Sequence, residues 1–452
     1  MLSTAQLADQ LKGRVIAPGD PDYDQARKVA QGAIDRRPAA ILRAADVDDV
    51  VRVIEMARET GLELAIRSGG HSNAGHGVSE GGLVLDLAEL RSLDIDVEGR
   101  TAWAETGLTA GEYSTAAGEH GLATGFGDTA TVGIGGITLG GGVGFLVRKH
   151  GLTIDDLLAA EIVTADGELL HVDTDNHPDL FWAIRGGGGN FGVATRLKFR
   201  LHELDTIVGG PLILPATPEL VASFIAEAQA APEELSTIVN VMTAPPLPFL
   251  PPEAHGKLIV MALLAYCGPV EQADRVVAPF RDLAAPIADM VRPMRYAEMY
   301  PPEDEELRPI AAIRTMFMEG VDLGAAETIV ERIRSSDAPM SVTQLRPLGG
   351  AMARVPADAT AFAHRDKRVM ANVASMSLTM EGLPERAAWV RELSADLNQG
   401  DDSAYVGFLG DEGEQRVRAA YPAPTWERLA AIKAKYDPEN VFRVNQNIAP
   451  AG

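Results

Sequence analysis

The chain has 452 residues, a formal charge of −24 and one cysteine, Cys267. The length predicts two or three domains. The lone cysteine excludes an internal disulfide and any cysteine-rich metal site, and the acidic balance works against nucleic acid and anionic membranes, which basic residues normally attract. That charge is compatible with a neutral or cationic small molecule, but acidity that serves solubility alone is the favoured reading. No uninterrupted apolar run of about 18 residues marks a membrane span. Met1 to Gln10 lack a basic region followed by an apolar core, so the expected location is the cytoplasm.

Residues 1–35 carry a polar, helix-like opening and then Gly-Asp-Pro-Asp turn chemistry at Gly19 to Asp22. Pro38 to Leu42 have strand length. Asp46 is placed to cap a helix whose apolar positions Val47, Val50, Val51, Ile54 and Ala57 recur at helical spacing, with Gly61 as its stop. Leu62 to Ile66 read as a short buried strand. It delivers the turn Arg67-Ser68-Gly69-Gly70-His71-Ser72, in which adjacent glycines let backbone N–H groups approach an anion. Arg67 offers a fixed charge suited to phosphate, Ser68 and Ser72 offer hydroxyls, and His71 offers a nucleophilic ring. Taken alone, the same turn also fits a plain surface loop.

Leu83 to Leu87 and Thr101 to Glu105 read as strands, and Thr109 to His120 as a helix stopped by Gly121. Gly125 to Gly144 hold so many glycines that both helix and strand are weakened there. That cost makes sense if the backbone wraps tightly around a pyrophosphate. A nicotinamide-type fingerprint fits poorly, because these glycines follow a helix and a turn instead of opening the first βαβ unit.

Residues 161–172 predict a hairpin turning at Ala165-Asp166-Gly167. Pro178 to Ile184 suit a short helix. Arg185 to Val193 form a third glycine concentration, and it feeds a strand with Val193, Thr195, Leu197, Phe199 and Leu201 on one face. After about residue 205 glycine thins and prolines cluster. Strands are expected at Leu258 to Tyr266 and Ala371 to Met380, and helices at Ala325 to Ser335, Glu385 to Leu397 and Trp426 to Tyr436. No internal repeat or low-complexity tract is present.

Four motifs in this order resemble the flavoprotein family that includes vanillyl-alcohol oxidase, in its berberine-bridge-enzyme-like branch. They are Arg67-Ser68-Gly69-Gly70-His71; Thr131-Val132-Gly133-Ile134-Gly135-Gly136 with Gly140 to Gly144; Gly189-Asn190-Phe191-Gly192-Val193; and Tyr436-Asp437-Pro438-Glu439-Asn440 with Asn445-Gln446-Asn447-Ile448. The resemblance covers residues 35–205 and 400–450 best. It implies an α+β fold with a two-subdomain, PCMH-type FAD-binding domain (1–205), a substrate domain built on an antiparallel sheet (206–400) and a C-terminal segment returning to the FAD domain (401–452).

It also implies FAD bound covalently to His71 through the flavin 8α-methyl, which suits a neutral imidazole nitrogen. Arg67, Ser68, Gly69, Gly70, Ser72, Thr129, Thr131, Val132, Gly135, Gly136, Gly141, Val193, Asn445 and Asn447 are the implied cofactor-binding residues, and no metal is expected. Thr129 stands where some relatives carry a second attachment cysteine, so a single link is expected. Val132 stands near the oxygen-reactive edge, where a small side chain goes with oxidase behaviour. His76 reads as a structural or pocket residue.

The implied reaction removes hydride from an alcohol, amine or hydroxylated ring carbon and passes the electrons to O2, giving H2O2. Catalytic candidates are Tyr405, Val132 and Asn445. Tyr405 reads as the base or as a wall tyrosine, because Gly407 stands where asparagine is usual. Gln344 and Arg346 are candidate pocket groups, whereas Leu348 stands where relatives often have a tyrosine. His364 and Arg365 read as a structural hydrogen-bonding pair. A dehydrogenase with another acceptor, a non-redox flavin carrier and a nicotinamide enzyme are the competing readings. The expected partners are a small-molecule substrate and O2, with a homodimer as the assembly allowed for.

Overall fold

The structure, a computed structural model, describes residues 8–302 and 307–452. Most of the predicted helix-like opening therefore lies outside the described residues. The first unit runs β1 (Arg14–Ile16), β2 (Ala40–Arg43), α1 (Val47–Thr60), β3 (Leu64–Arg67) and β4 (Leu83–Asp86). Asp46 caps α1 by accepting from the Asp49 N–H at 3.2 Å, and Gly61 ends it in the left-handed region at φ 68°. The apolar stripe of α1 buries Val50, Val53, Ile54 and Ala57, each fully buried branched side chain contributing about 1.5–3 kcal/mol. Strand β4 lies between β2 and β3, parallel to both. All four of its residues are buried, Leu83, Val84 and Leu85 as an apolar run with no alternation and Asp86 as a buried carboxylate.

The second unit is an antiparallel sheet in the order β5 (Leu93–Asp96), β6 (Thr101–Glu105), β10 (Val193–Arg200), β8 (Leu157–Val163), β9 (Leu169–Val172). Strands β7 (Leu122–Ala123) and β11 (His202–Glu203) pair beside it. The predicted alternation of β10 holds: Leu197 and Phe199 are buried while Arg196, Lys198 and Arg200 face outward. Helix α2 (Ala110–Gly118) is closed by a capping box between Thr109 and Glu112.

One expectation fails here. The glycine-rich stretch forms a helix, α3 (Ile134–Gly140). Propensity loses to packing: a Cβ on Gly135 would meet the Thr106 Cβ at 3.0 Å, so only glycine lets this helix lie against its neighbours. Helix α4 (Pro178–Ile184) follows where predicted.

The third unit is a large antiparallel sheet in the order β15 (Ala288–Asp289), β12 (Thr206–Pro215), β14 (Leu258–Tyr266), β13 (Leu235–Thr243), β18 (Met340–Pro347), β19 (Val369–Ser377), β17 (Ile310–Met318), with β16 (Arg292–Arg295) also on β12. Helices α5 (Pro218–Ala230), α6 (Ala273–Arg281), α7 (Leu323–Arg334) and α8 (Leu383–Asp396) cover one face with a shared apolar core. The predicted strand at Ala371 to Met380 starts two residues earlier and ends at Ser377, leaving Met380 exposed.

Arg148 ties the sheet to the glycine-rich unit. Its buried guanidinium donates to the carbonyls of Ala228 and Ala231 at the end of α5 and of Leu235 on β13. The chain then returns through α9 (Ala423–Tyr436). Among the described residues no helix is long and apolar enough to cross a membrane.

Candidate active site

Two glycine stretches cross where the first and second units meet. Ser68 donates to the Thr106 carbonyl at 2.5 Å, which fixes the turn after β3 against β6. A Cβ on Gly69 would lie 2.2 Å from the Gly133 nitrogen, so the two backbones touch. Beside that crossing, His71 Nε2 and Thr131 Oγ1 share a hydrogen bond of 3.0 Å.

The crossing forms one end of a cavity of about 490 Å³, within the range typical of small-molecule sites. Its wall includes Arg67 to Asn73, Asp128, Thr129, Val132, Gly135 and Gly136, then Gly187 to Asn190, Val193 and Asn445. The large sheet closes the far side through Ile313, Gln344, Arg346 and Asn372, with Tyr405 and Phe408 beside it. Three chain segments far apart in sequence therefore meet at one space.

Several sequence-derived candidates need correction. Arg67 lines the cavity, but its guanidinium is committed to Asp86 at 2.9 Å, with both side chains buried. A strand-borne carboxylate beneath the turn takes the charge assigned above to phosphate. Gly141, Thr131 and Asn447 are not on the wall. Gly141 is packed, since a Cβ there would meet Phe362 and Tyr405 at 3.2 Å, and Thr131 acts through His71. His364 and Arg365 do not bond to each other: His364 Nε2 meets the Ala420 carbonyl at 2.8 Å, and Arg365 forms a bidentate pair with Asp155. Leu348 is buried away from the cavity.

The tail is held by a buried cation. Lys433 Nζ donates to the Asn190 and Phe442 carbonyls and to Asp437 at 2.7, 2.9 and 2.5 Å. Asn190 in turn donates to the Gly187 and Gln446 carbonyls and accepts from the Ile448 N–H. This network fixes the third glycine stretch against Asn445. Asn445 Nδ2 donates to the Gly189 and Phe442 carbonyls, while its Oδ1 is buried without a partner.

Tyr405 is buried, and its hydroxyl accepts from the Gly142 N–H at 2.9 Å. Burial pushes its phenol above the usual value, against the Gly142 N–H and the Arg346 charge, which pull it down. His76 also faces the cavity, and burial with the Arg36 charge pushes its imidazole down to about 4, so it is neutral near pH 7. Arg346 spans the roof, donating to Asp128 at 2.6 Å, to Gln344 and to the Val143 carbonyl, with the Phe408 ring 5.1 Å away. The sequence reading missed Asp128, Ile313, Asn372 and Phe408 as wall residues. No motif marks them, because strand register and loop folding place them.

The cavity fits a flavin dinucleotide. A Cβ on Gly136 or Gly189 would meet nothing within 4 Å, so bare backbone faces the open space at both glycine stretches. Asn445 lies on the wall with its Oδ1 buried and unpartnered, and the far side sets Ile313 and the Tyr405 and Phe408 rings beside the polar Gln344, Arg346 and Asn372.

Comparison with known proteins agrees. The family described as FAD binding domain matches residues 38–173, and the family described as berberine and berberine like matches residues 404–449. The (R)-6-hydroxynicotine oxidase of Paenarthrobacter nicotinovorans is 31% identical, covering 98% of each chain. Berberine bridge enzyme-like 6 of Arabidopsis thaliana is 28% identical over 91% of this chain and 81% of its own. The crystal structure of 6-hydroxy-D-nicotine oxidase from Arthrobacter nicotinovorans superposes with a TM-score of 0.85 at 28% identity, covering 98% of both chains. A chitooligosaccharide oxidase, at 22% identity and a TM-score of 0.85 over 99% of both chains, shares the fold.

Proposed function

The chain belongs to the FAD-linked oxidoreductases of the berberine-bridge-enzyme-like family, and from that premise we propose that it holds FAD covalently through His71 and oxidises a small organic substrate with release of H2O2. The observation that carries this reading is the His71–Thr131 hydrogen bond at the crossing of two glycine stretches, on the wall of the cavity. A hydrogen bond to one ring nitrogen orients the imidazole and selects its tautomer, which is what a nucleophilic histidine needs.

When bound, FAD supplies the two-electron acceptor and hands the electrons to O2. The protein's own residues do the rest. Bare glycine backbone at Gly136 and Gly189 faces the space the cofactor would fill, and Asn445 lies on its wall. Val132, on the wall, leaves more room than a longer side chain would. Tyr405 lines the cavity as the candidate proton acceptor: burial raises its phenol, and the Gly142 N–H and the Arg346 charge offset part of that rise.

The test separates attachment from catalysis. Denatured protein run on an SDS gel should fluoresce under ultraviolet light, and His71→Ala should lose that signal while retaining FAD that acid precipitation releases. Tyr405→Phe should keep its flavin and lose about 100-fold or more in peroxide release. Acid-released flavin from the unaltered protein would refute the covalent link, and a fully active Tyr405→Phe would refute the base.

A further inference from the structure

The face of the large sheet that roofs the cavity continues beyond it. Along β18 and β19 alternate residues share that face. Gln344 stands opposite Asn372, then Val342 opposite Ala374, then Met340 opposite Met376. Ile313 on β17 stands opposite Ala374 on its other side. Gln344, Asn372 and Ile313 line the cavity. The file therefore starts on the cavity wall and turns apolar within one step.

Exposure rises along the same file. Val342 and Ala374 are buried, Ile313, Met340 and Met376 are half-buried, and Leu378, just past the end of β19, is 66% exposed. Apart from Leu378 these side chains form one apolar cluster with Met242, Leu247 and Leu250. Leu247 and Leu250 come from the loop between β13 and β14, which Pro245, Pro246, Pro248, Pro251 and Pro252 stiffen. That loop walls one side. On the other side Gln31 closes the outer edge of β17, bonding the Ala311 carbonyl and N–H at 3.0 and 3.1 Å.

No charged residue stands on this face of β18 or β19 between Gln344 and Met340 or between Asn372 and Met376. Arg346 stands at the opposite end and is paired with Asp128 at 2.6 Å. A polar chain laid along the file would lose water and gain no partner, whereas an apolar one gains by leaving water. Two facing methionines suit such a ligand, because their unbranched side chains repack around it. From Asn372 to Met376 the file runs about 13 Å.

Resting on the oxidase reading above, we propose that the substrate carries an apolar tail, with its reacting carbon in the cavity and the tail laid along Ile313, Met376 and Met340 toward solvent. The file is a specificity subsite for an uncharged chain of up to about ten carbons, as its length of about 13 Å sets.

Three benzyl alcohols that share one ring oxygen test this: 4-methoxybenzyl alcohol, 4-heptyloxybenzyl alcohol and 4-[2-(2-methoxyethoxy)ethoxy]benzyl alcohol, whose glycol tail matches the heptyloxy tail in length. Each is titrated into the flavin-loaded protein, and binding is read from the visible flavin spectrum. The heptyloxy probe should bind about 100-fold more tightly than the methoxy probe, because each added methylene is worth up to about fourfold when fully buried and the file is half open. The glycol probe should stay within about threefold of the methoxy probe. In Met376→Asp, and in the milder Met340→Ser, the heptyloxy-to-methoxy ratio should fall to about tenfold or less at unchanged flavin content and thermal midpoint. Equal affinity for heptyloxy and methoxy probes overturns the inference. So does a glycol tail bound as tightly as heptyloxy, a ratio unchanged in both variants, or no spectral change with any probe. In each of these cases the flavin and peroxide results of the preceding section still stand. Protein that takes up no FAD sinks both.

Discussion

Gly69 and Gly133 touch so closely that neither tolerates a side chain: a Cβ on Gly69 would lie 2.2 Å from the Gly133 nitrogen, and a Cβ on Gly133 would lie 2.1 Å from Ser68 Oγ. Gly136, three residues on, faces open cavity. The two kinds of glycine should fail differently. Gly69→Ala should destabilise even the FAD-free protein, by about 2 kcal/mol, because backbone must move. Gly136→Ala should leave the FAD-free protein's thermal midpoint within about 1 °C and weaken FAD uptake. Equal losses of stability in the two variants would show that Gly136 is packed against protein and does not face the cavity.

Val132 lies on the cavity wall. Replacing it by leucine adds one methylene to a closely packed site. Val132→Leu should slow reoxidation of the reduced protein by O2 about tenfold, equivalent to about 1.4 kcal/mol in the barrier, while substrate reduction under anaerobic conditions changes little. Stopped-flow traces of each half-reaction check this, and an unchanged oxidative rate removes Val132 from the path of O2.

Lys433 and Asp437 form an ion pair with both side chains fully buried. Asp437 also accepts from the N–H groups of Val441 and Phe442. Lys433→Met leaves that carboxylate buried without its cation, which typically costs about 3–5 kcal/mol, and it frees the carbonyls of Asn190 and Phe442. Urea unfolding should show the loss, and the visible flavin spectrum should change earlier in the transition because the network holds Asn445. A shift below about 1 kcal/mol would mean the backbone donors alone satisfy Asp437.

His150 stacks on His202 with ring centroids 3.7 Å apart, and its Nε2 is buried without a partner. Burial, with the neighbouring His202 and Lys149, pushes its imidazole from 6.5 down to about 3. The unfolded chain therefore takes up this proton at a higher pH than the folded one. Stability from this site is complete above 6.5 and falls with pH down to about 3. Discounted for partial exposure, the loss at pH 5.5 is about 1 kcal/mol. His150→Gln should flatten the fall in thermal midpoint between about pH 7.5 and about pH 5.5. An unchanged pH slope would assign the effect elsewhere, with His76, held near 4, the first alternative.

The order of motifs along the chain, together with their residue types, was enough to identify an FAD-linked fold. Glycine pairs, Asp46 and Gly61 at the ends of α1 and the alternation of β10 are local signals, and each acts over a few residues of backbone. Helix α3 escaped the same reasoning because its glycines weaken it locally and are needed only for contacts with Ser68 and Thr106, distant in sequence. The partner of Arg67 escaped for a related reason: Asp86 reaches it through parallel pairing of β3 with β4, a contact that no short window contains. The cavity roof was the least legible part. Gln344, Asn372 and Ile313 are ordinary strand residues, and a one-residue slip would turn each to the helix-covered face. Cofactor-contacting turns are thus written in the sequence because tight backbone approach demands particular residue types. The substrate wall is decided only in three dimensions, because many residue types fit a strand and register alone selects which of them face the ligand.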